Sequence, residues 1–534
     1  MRRIRGSHLL LSASFAAATA AALLGPAHAG PDAPSEPSPW RWSQISGAAS
    51  HATELTVAME YDAARSVLAK ADPNDPAIVV AKARLALYEE NCDLAATLLS
   101  GSEAANDDEA SLIVDVARGC ARVTAATVSE VDEANGIVLR YQDEADRALG
   151  PLIKTTVIAA REALSRDLGV EWKQPTRITV VRDLLSLSAM TGLPYKSAQT
   201  TGTVAVAKWG RVAILSPRAS MNGFALQDTL AHELTHLAIS MTSHDRAPLW
   251  LHEGVARRQE SRWRAPGPFD DKPSAEAIVL RGMERKLDLQ LDKLGPSIAM
   301  LPSADAAMVV FAEVASFVRY FVESSPNGTL GKLLIALRDA KTADEALRRV
   351  SGETLAQWDT KWRAQLAKRP RETLSPLLGL GGELAGSANA RERARLAELL
   401  FGRGHASESN AQLDKVSPEL FADPSLRYLR ARVLEKMGAE SQAAALLEDP
   451  TEWVASFGPC WAVRGRLARA AGDEASALAS FAEAVAHDPL GFESACQQAP
   501  GDDTTQGPTG DQDDAGSLLC EAARSRYEPD VGQD

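Results

Sequence analysis

The chain has 534 residues, of which 45% are hydrophobic and only 5% are aromatic. A chain of this length is too long to fold around one compact hydrophobic core, so two or three structural units are expected. The apolar content is rich in Ala and Leu, which favours helices over a large β-sandwich or barrel. The 71 acidic residues outnumber 57 Lys and Arg, and the net charge of -14 argues against nucleic acid or an anionic membrane face as the main partner.

The first 29 residues follow the plan of a secretory signal peptide. A basic start precedes an apolar run at residues 9–24, and Ala27-His28-Ala29 forms a small-residue cleavage site. We therefore expect a signal peptide over residues 1–29 and export to the periplasm or the extracellular space. A retained membrane anchor is the alternative. No later stretch is long and apolar enough to span a bilayer, so no membrane span is expected after cleavage.

Five cysteines fit an oxidising compartment without making a disulfide scaffold. Cys92 and Cys120 are predicted to pair, because neighbouring helices of a hairpin could bring them together. The pairing among Cys460, Cys496 and Cys520 cannot be deduced from the sequence, and one thiol is left over. Their spacings contain no CxxC, which argues against a zinc site built on cysteines.

Helical patterns flank the middle of the chain on both sides. Residues 46–130 contain helical stretches separated by a Pro- and Asp-rich breaker at residues 72–76. Residues 385–498 contain a better copy of this pattern at 461–489. Both regions resemble tetratricopeptide repeats, which stack and leave concave surfaces for a protein partner. An unspecialised helical packing domain is the alternative.

Three further segments connect or end these units. Residues 30–45 are rich in Pro and Ser and are predicted to be a linker. A Gly-rich stretch at residues 378–382 is predicted to be a hinge. Residues 499–534 are predicted to be a disordered acidic tail, because they contain too few apolar residues to bury.

The middle region, residues 131–370, combines strand and helix patterns. The predicted strands are 136–141, 177–181, 203–207 and 211–215. A helix is expected at 144–168, and the last two strands could form a hairpin around Trp209 and Gly210. The expected fold class is therefore mainly α with an α+β core, in which a small sheet precedes a helical half.

Two histidines with a glutamate between them give the clearest chemical signal. His232-Glu233-Leu234-Thr235-His236 lies in an apolar-periodic segment, 226–241, that has no internal Gly or Pro and should be helical. The spacing places both imidazoles on one helix face, one turn apart, where they can share an ion. Glu233 is rotated by about 100° from His232 and can face a metal-bound water without being a ligand. Two neutral imidazoles favour Zn²⁺ over a hard, oxygen-seeking cation.

Catalytic zinc requires a third protein ligand and one open position. The candidate is Glu253, on a second helix expected to start near residue 249 after a short reversal of the chain. Gly254 would allow close approach of another helix. The alternative third ligands are His244 and His252.

These residues resemble those of a known family. The HExxH sequence at 232–236, followed by Trp-Leu-His-Glu-Gly-Val-Ala at 250–256, is similar to the gluzincin metallopeptidases with peptidase MA-like domains. The similarity covers residues 131–368. It implies a zincin-like metallopeptidase domain, with Zn²⁺ as the cofactor and a protein or peptide as the substrate. It also implies these roles: His232, His236 and Glu253 as zinc ligands, and Glu233 as the general base.

The chain departs from that family at two positions. Thermolysin-like gluzincins have an Asp four residues after the glutamate ligand, where this chain has Arg257, so the residue that orients a zinc-bound histidine is not identified from the sequence. Many relatives also supply a Tyr to the oxyanion, and Phe311 stands where we would expect it. Tyr195 and His244 are other candidate donors. Losing one donor typically costs about 100- to 1000-fold in turnover.

The sequence therefore predicts an exported zinc metallopeptidase that hydrolyses peptide bonds with a metal-activated water and Glu233 as general base. The alternative is a catalytically weak or inactive peptidase-like domain that serves as a protein-binding module through its helical repeats. Phe311 and the extensive helical flanks motivate that alternative. A cell-wall hydrolase acting on peptide crosslinks would also fit the compartment.

Overall fold

The computed structural model describes most of the chain from residue 47 onward. The described residues are 47–100, 108–125, 127–220, 222–294, 298, 301, 304–372, 387–450, 456–497 and 518–524. The predicted signal peptide (1–29), linker (30–45) and hinge (378–382) lie outside them, as does most of the tail predicted to be disordered.

The first helical region ends in a hairpin closed by a disulfide bond. Its helices are α1 (Gly47–Val57), α2 (Tyr61–Lys70), α3 (Pro76–Tyr88), α4 (Cys92–Leu99) and α5 (Asp108–Thr124). The breaker at 72–76 ends with Pro76 as the first residue of α3, and the Asp75 side chain accepts the Ala77 N–H. Cys92 is bonded to Cys120, as predicted.

A small mixed sheet follows this region. Its strands are β1 (Val128–Asp132), β2 (Ile137–Tyr141), β3 (Thr176–Val181), β4 (Ala205–Lys208) and β5 (Arg211–Leu215). In the described residues their order is β1-β2-β3-β5-β4, with β2, β3 and β5 parallel and the two outer strands antiparallel to their neighbours. The hairpin of β4 and β5 turns at Trp209 and Gly210, which have φ of 57° and 70°. This confirms the predicted turn.

Strand β1 was not predicted. It begins inside the segment assigned to the first helical region, 46–130, and its residues are mostly exposed. A short Val-Ser-Glu-Val-Asp sequence without a buried face gives almost no apolar alternation, so its pairing with β2 could not be read from the sequence.

The helical half of the middle region encloses α9, the helix that carries the HExxH sequence. The helices here are α6 (Gly150–Leu168), α7 (Leu184–Thr191), α8 (Tyr195–Thr201), α9 (Leu226–Ser243), α10 (Leu249–Gln259), α11 (Ala275–Glu284), α12 (Ala304–Glu323), α13 (Thr329–Ala336), α14 (Ala343–Ser351) and α15 (Leu355–Leu366). Helix α9 packs against α6, α10 and β4, while α12 covers α10 and α11. The predicted helices at 144–168 and 226–241 are therefore present, the first beginning with a 3₁₀ turn at Glu144–Leu149.

The first helical region is packed directly on the β4–β5 hairpin. Trp209 is buried at the hairpin tip, with its ring edge-on to Tyr88 and its Nε1–H donating to the Thr191 carbonyl at 3.2 Å. Nη1 of buried Arg211 donates to the Leu87 carbonyl at 3.0 Å. One apolar core runs through both regions, so these helices help to fix the position of β4.

The last region is helical and has its own apolar clusters. Its helices are α16 (Ser387–Gly402), α17 (Ala406–Leu413), α18 (Pro424–Lys436), α19 (Glu440–Leu446), α20 (Gly458–Ala470), α21 (Glu474–His487) and α22 (Phe492–Gln497). Trp461 packs against Phe269 of the middle region, with ring centroids 5.6 Å apart. The fold is thus mainly α with a small α+β core between two helical regions, as predicted.

The prediction of disorder for 499–534 is wrong for one part of that segment. Residues 518–524 are helical, and Cys520 is disulfide-bonded to Cys496, while Cys460 is a buried free thiol. A covalent crosslink supplies order that composition alone does not reveal. Among the helices of the described residues, none has the length and hydropathy that crossing a membrane requires.

Candidate metal centre and active site

Helix α9 holds the two histidines on its partly accessible face. Buried Leu230, Leu234 and Ala238 anchor the opposite side in the core. The side chains of His232 and His236 are 14% and 17% exposed, and their ring centroids lie 4.9 Å apart. The one-turn spacing therefore places the imidazoles side by side, as the sequence predicts.

A tight reversal brings α10 back over α9. Helix α9 ends at Ser243, and the next two residues, His244 and Asp245, adopt left-handed backbone conformations, with φ of 54° and 59°. The Ser240 hydroxyl donates to Asp245 Oδ1 at 2.9 Å and holds this turn. Pro248 then caps α10, which begins at Leu249 as predicted.

The reversal directs Glu253 at the two imidazoles. Its Oε2 lies 3.7 Å from Nε2 of His232 and 3.9 Å from Nε2 of His236. The Glu253 side chain is 18% exposed, about as much as the two imidazoles. The structure thus brings together two imidazole nitrogens and one carboxylate oxygen from adjacent helices.

Close packing of α10 on α12 fixes the position of α10, the helix that carries Glu253. A Cβ added to Gly254 would lie 2.5 Å from the Val314 carbonyl oxygen, which only a glycine permits. Trp250 is buried beside it and packs edge-on against Phe317, with ring centroids 5.3 Å apart. Gly254 therefore allows the close helix approach expected from the sequence.

Replacing Gly254 with Ala should lower the free energy of unfolding by a net amount of about 1–2 kcal/mol. The new methyl meets a backbone carbonyl that cannot move aside, which costs about 2–3 kcal/mol. The usual gain of about 1 kcal/mol for Ala over Gly in a helix offsets part of this cost. Urea unfolding followed by tryptophan fluorescence measures the difference. Gly402→Ala is the matched control, since a Cβ there meets nothing within 4 Å. A Gly254→Ala chain as stable as the wild type would contradict the packing argument.

Glu233 is buried behind the histidines and contacts the sheet. Its Oε2 accepts a hydrogen bond from the Ala207 N–H of β4 at 2.6 Å. Burial raises the pKa of Glu233 to about 7, although His232 and the Ala207 N–H act in the opposite direction. A carboxylate with a pKa near neutrality can both accept and release a proton under ordinary conditions.

Strand β4 presents an outer edge beside Glu233. The Val204 carbonyl accepts from Leu215 N–H, so the backbone groups of alternate residues, Ala205 and Ala207, point away from β5. Within the described residues β4 ends the sheet. The Ala207 N–H on this edge is used by Glu233, so an extended chain laid along the edge would find the N–H and C=O of Ala205 and the C=O of Ala207 as pairing groups near the imidazoles.

Burial and neighbouring charges shift the pKa of all three proposed ligands, and for His236 and Glu253 the shift favours the form that binds a metal. Burial lowers the pKa of His236 far below its ordinary value, which leaves its imidazole neutral. Burial alone would raise the pKa of Glu253, but the neighbouring histidines outweigh it and lower that pKa. Burial lowers the pKa of His232, yet hydrogen bonding to two carboxylates outweighs it and raises the pKa, so binding of a cation would release a proton.

Sequence reasoning missed the residues that contact the outer nitrogens of the imidazoles. Nδ1 of His232 lies 3.3 Å from Oε2 of Glu260, and Nδ1 of His236 lies 3.4 Å from Nδ1 of His252. Arg257 donates to the same Glu260 oxygen at 2.8 Å. Glu260 follows Glu253 by two helical turns, and that spacing is the signal in the sequence that could have suggested it.

His252 and His244, the alternative third ligands, are placed less favourably than Glu253 for binding a metal between the two imidazoles. His252 approaches His236 from the Nδ1 side, away from Glu253, so it does not join the three converging atoms. His244 has Glu54, Glu60 and Arg338 as its charged neighbours.

The candidate oxyanion donors are also placed by the structure. Tyr195 is 41% exposed at the start of α8. Phe311 is partly buried and shares a face of α12 with Val314, which contacts α10. No hydroxyl is supplied from that position.

The geometry leaves two carboxylates as possible third ligands. Among the described residues, ligand atoms of His232, Glu233 and His236 lie within 4.8 Å of one another. Glu253 has the stronger claim, because one of its oxygens faces both Nε2 atoms, whereas Glu233 Oε2 is held by Ala207.

A family model matches the part of the chain that contains this site. Residues 156–368 match the family model of the Peptidase MA superfamily. This match supports a peptidase MA-like domain in the middle of the chain, flanked by helical regions, and suggests a peptidase-type hydrolase. The matched span contains α9, α10, β4 and α12, and so every residue of the candidate centre. A search of curated proteins found no match to the chain.

Proposed function

We propose that the chain is an exported zinc metallopeptidase of the gluzincin type. The observation that carries the proposal is the convergence of His232 Nε2, His236 Nε2 and Glu253 Oε2 beside a buried glutamate and an outer sheet edge. The Peptidase MA superfamily match supports the same reaction class. His232, His236 and Glu253 would hold the metal, and Glu233 would be the general base.

The donor set fits zinc. Two imidazole nitrogens and one carboxylate oxygen are a usual ligand set for catalytic zinc, which keeps a fourth position for water or substrate. Ligand atoms at about 2.0–2.1 Å from a tetrahedral ion are separated by roughly 3.3–3.4 Å. The separations of 3.7 and 3.9 Å between Glu253 Oε2 and the two Nε2 atoms are a few tenths of an ångström longer than this value.

The bound metal and Glu233 would supply different parts of the hydrolysis reaction. Zinc, when bound, supplies a Lewis acid that polarises a carbonyl and lowers the pKa of water to about 7. Glu233 accepts the proton of the attacking water and delivers it to the leaving amine. The hydrogen bond from the Ala207 N–H of β4 holds the Glu233 carboxylate in place for both steps.

The outer edge of β4 indicates a peptide substrate. Ala205 directs its N–H and C=O to this edge and Ala207 its C=O, with the Ala207 N–H bonded to Glu233, and an extended peptide could pair with these groups as a further strand. Such pairing recognises the main chain rather than particular side chains, so the proposal does not specify a preferred cleavage sequence.

Export rests on the secretory plan of residues 1–29 and on the cysteines. The Cys92–Cys120 and Cys496–Cys520 disulfides fit an oxidising compartment such as the periplasm or the extracellular space. The helical regions would then offer surfaces to a protein partner outside the cytosol.

A non-catalytic binding protein is the second candidate. Phe311 favours it, because it has no hydroxyl and the oxyanion would lack the donor that many gluzincins provide. In that case the metal centre would be structural, and recognition would fall to the helical regions.

Metal analysis of the purified chain, combined with a broad peptide-cleavage screen, separates these functions. We expect about one zinc per chain and hydrolysis that stops when a chelator removes the metal and resumes on adding zinc. Zinc without cleavage of any denatured protein or peptide library would favour the binding protein. A chain that binds no zinc would refute the proposed centre.

A further inference from the structure

The Nδ1 side of the His232 ring contacts a carboxylate that is not one of the proposed metal ligands. Glu260 caps the C-terminal end of α10, and its Oε2 lies 3.3 Å from Nδ1 of His232. A carboxylate oxygen only accepts hydrogen bonds, so Nδ1 carries the hydrogen in this contact. The Nε2 atom of the same ring faces Glu253 Oε2 at 3.7 Å.

Glu260 is held in place independently of His232. Arg257, one turn earlier on α10, donates to the same Oε2 at 2.8 Å. Its neighbours Gln259 and Arg262 both donate to Asp167 at the end of α6. The end of α10 is thus attached to a second helix, so the carboxylate is preorganised rather than free to follow the imidazole.

We propose that Glu260, fixed by Arg257, is the positioning residue that orients His232 for metal binding. By accepting from Nδ1–H, the carboxylate keeps the Nε2 lone pair directed at the centre and increases its strength as a ligand. The position four residues after Glu253, where thermolysin-like relatives have an Asp, is occupied here by Arg257. In this chain Glu260, two helical turns after Glu253 and held by Arg257, therefore orients the histidine. In thermolysin-like gluzincins a single acid one turn after the glutamate ligand has that role.

This inference rests on the proposed zinc centre, and its test uses metal affinity rather than activity. Zinc Kd is measured on the full mature chain by competition with a chromophoric chelator. Glu260→Ala should weaken zinc binding by about 10- to 100-fold. Glu260→Gln, which keeps an acceptor oxygen without the charge, should give an intermediate Kd, and Arg257→Met should also weaken binding by releasing the carboxylate.

A matched pair on α11 provides the control. Arg281 and Glu284 are also three residues apart near a helix end, with N···O of 2.9 Å, but they contact no predicted ligand. Glu284→Ala and Arg281→Met should leave the zinc Kd unchanged. The visible spectrum of the Co²⁺-substituted chain should change in the Glu260 variants alone, and the urea midpoint of the apoprotein should match that of the controls.

The possible outcomes are distinguishable. If the wild type binds zinc and both Glu260 variants bind it within twofold of the wild type, the positioning role is refuted and the zinc centre stands. If Glu260→Ala fails to fold, the Glu260→Gln and Arg257→Met values decide in the same way. If the wild type binds no zinc, both proposals fail.

Discussion

Glu233→Gln should lower the rate of peptide hydrolysis by about 100- to 10,000-fold while zinc stays bound. The amide has the shape of the carboxylate and can still accept the hydrogen bond from the Ala207 N–H. It cannot take a proton from the attacking water. The measurements are kcat/KM on a peptide that the wild type cleaves, and zinc per chain by atomic emission.

The same substitution at an exposed acid provides the control for this experiment. Glu284→Gln on α11 removes one charge from a side chain that is 40% exposed, and it should leave both readouts at wild-type values. If Glu233→Gln retains full turnover, Glu233 is not the base. If instead it loses its zinc, Glu233 belongs to the ligand set, which its position within 4.8 Å of both histidines would allow.

The pairing of His232 with His236 could be predicted because it depends only on helical period. A segment with apolar residues on one face and no Gly or Pro forms a helix, and a four-residue spacing then fixes two side chains on one face. The placement of Glu253 required one further assumption, a short reversal. The left-handed residues His244 and Asp245 provide it, although neither is a glycine and no turn signal marks them.

The contacts around this centre could not be predicted, since they depend on how separate elements pack. The Ala207 N–H reaches Glu233 only because the β4–β5 hairpin lies across α9. Glu260 reaches His232 only because α10 packs back against α9 after the reversal at His244 and Asp245. The contact of Ala207 with Glu233 leaves no periodic trace in the sequence, and the two-turn spacing from Glu253 to Glu260 does not by itself distinguish a positioning acid from a solvated one.

In the flanking regions, too, the helices could be predicted from the sequence but their packing could not. Helix periodicity was sufficient to predict that both flanks are helical. It did not reveal that the first region buries Trp209 at the tip of the hairpin beside the site. Since that hairpin carries the outer edge of β4, the first helical region stabilises the strand on which we propose the substrate lies.

Glu253→Gln should cause the largest loss of zinc among the variants of this centre. One of three proposed ligands would change from an anion to a weakly coordinating amide, while the two imidazoles remain in place. The expected increase in Kd exceeds the roughly 10- to 100-fold expected for an outer partner such as Glu260. Hydrolysis should disappear in parallel with the zinc and return in part at high zinc concentration.

The order of the three glutamate variants decides which carboxylate is the ligand. If Glu253 completes the set, the zinc Kd should rise least for Glu233→Gln, more for Glu260→Ala and most for Glu253→Gln. If Glu233 were the third ligand, the order of the Glu233 and Glu253 variants would be reversed. The common fold of the three chains can be checked by their far-ultraviolet spectra, because each side chain points into the site and none lies in the α10–α12 contact formed by Gly254 and Val314.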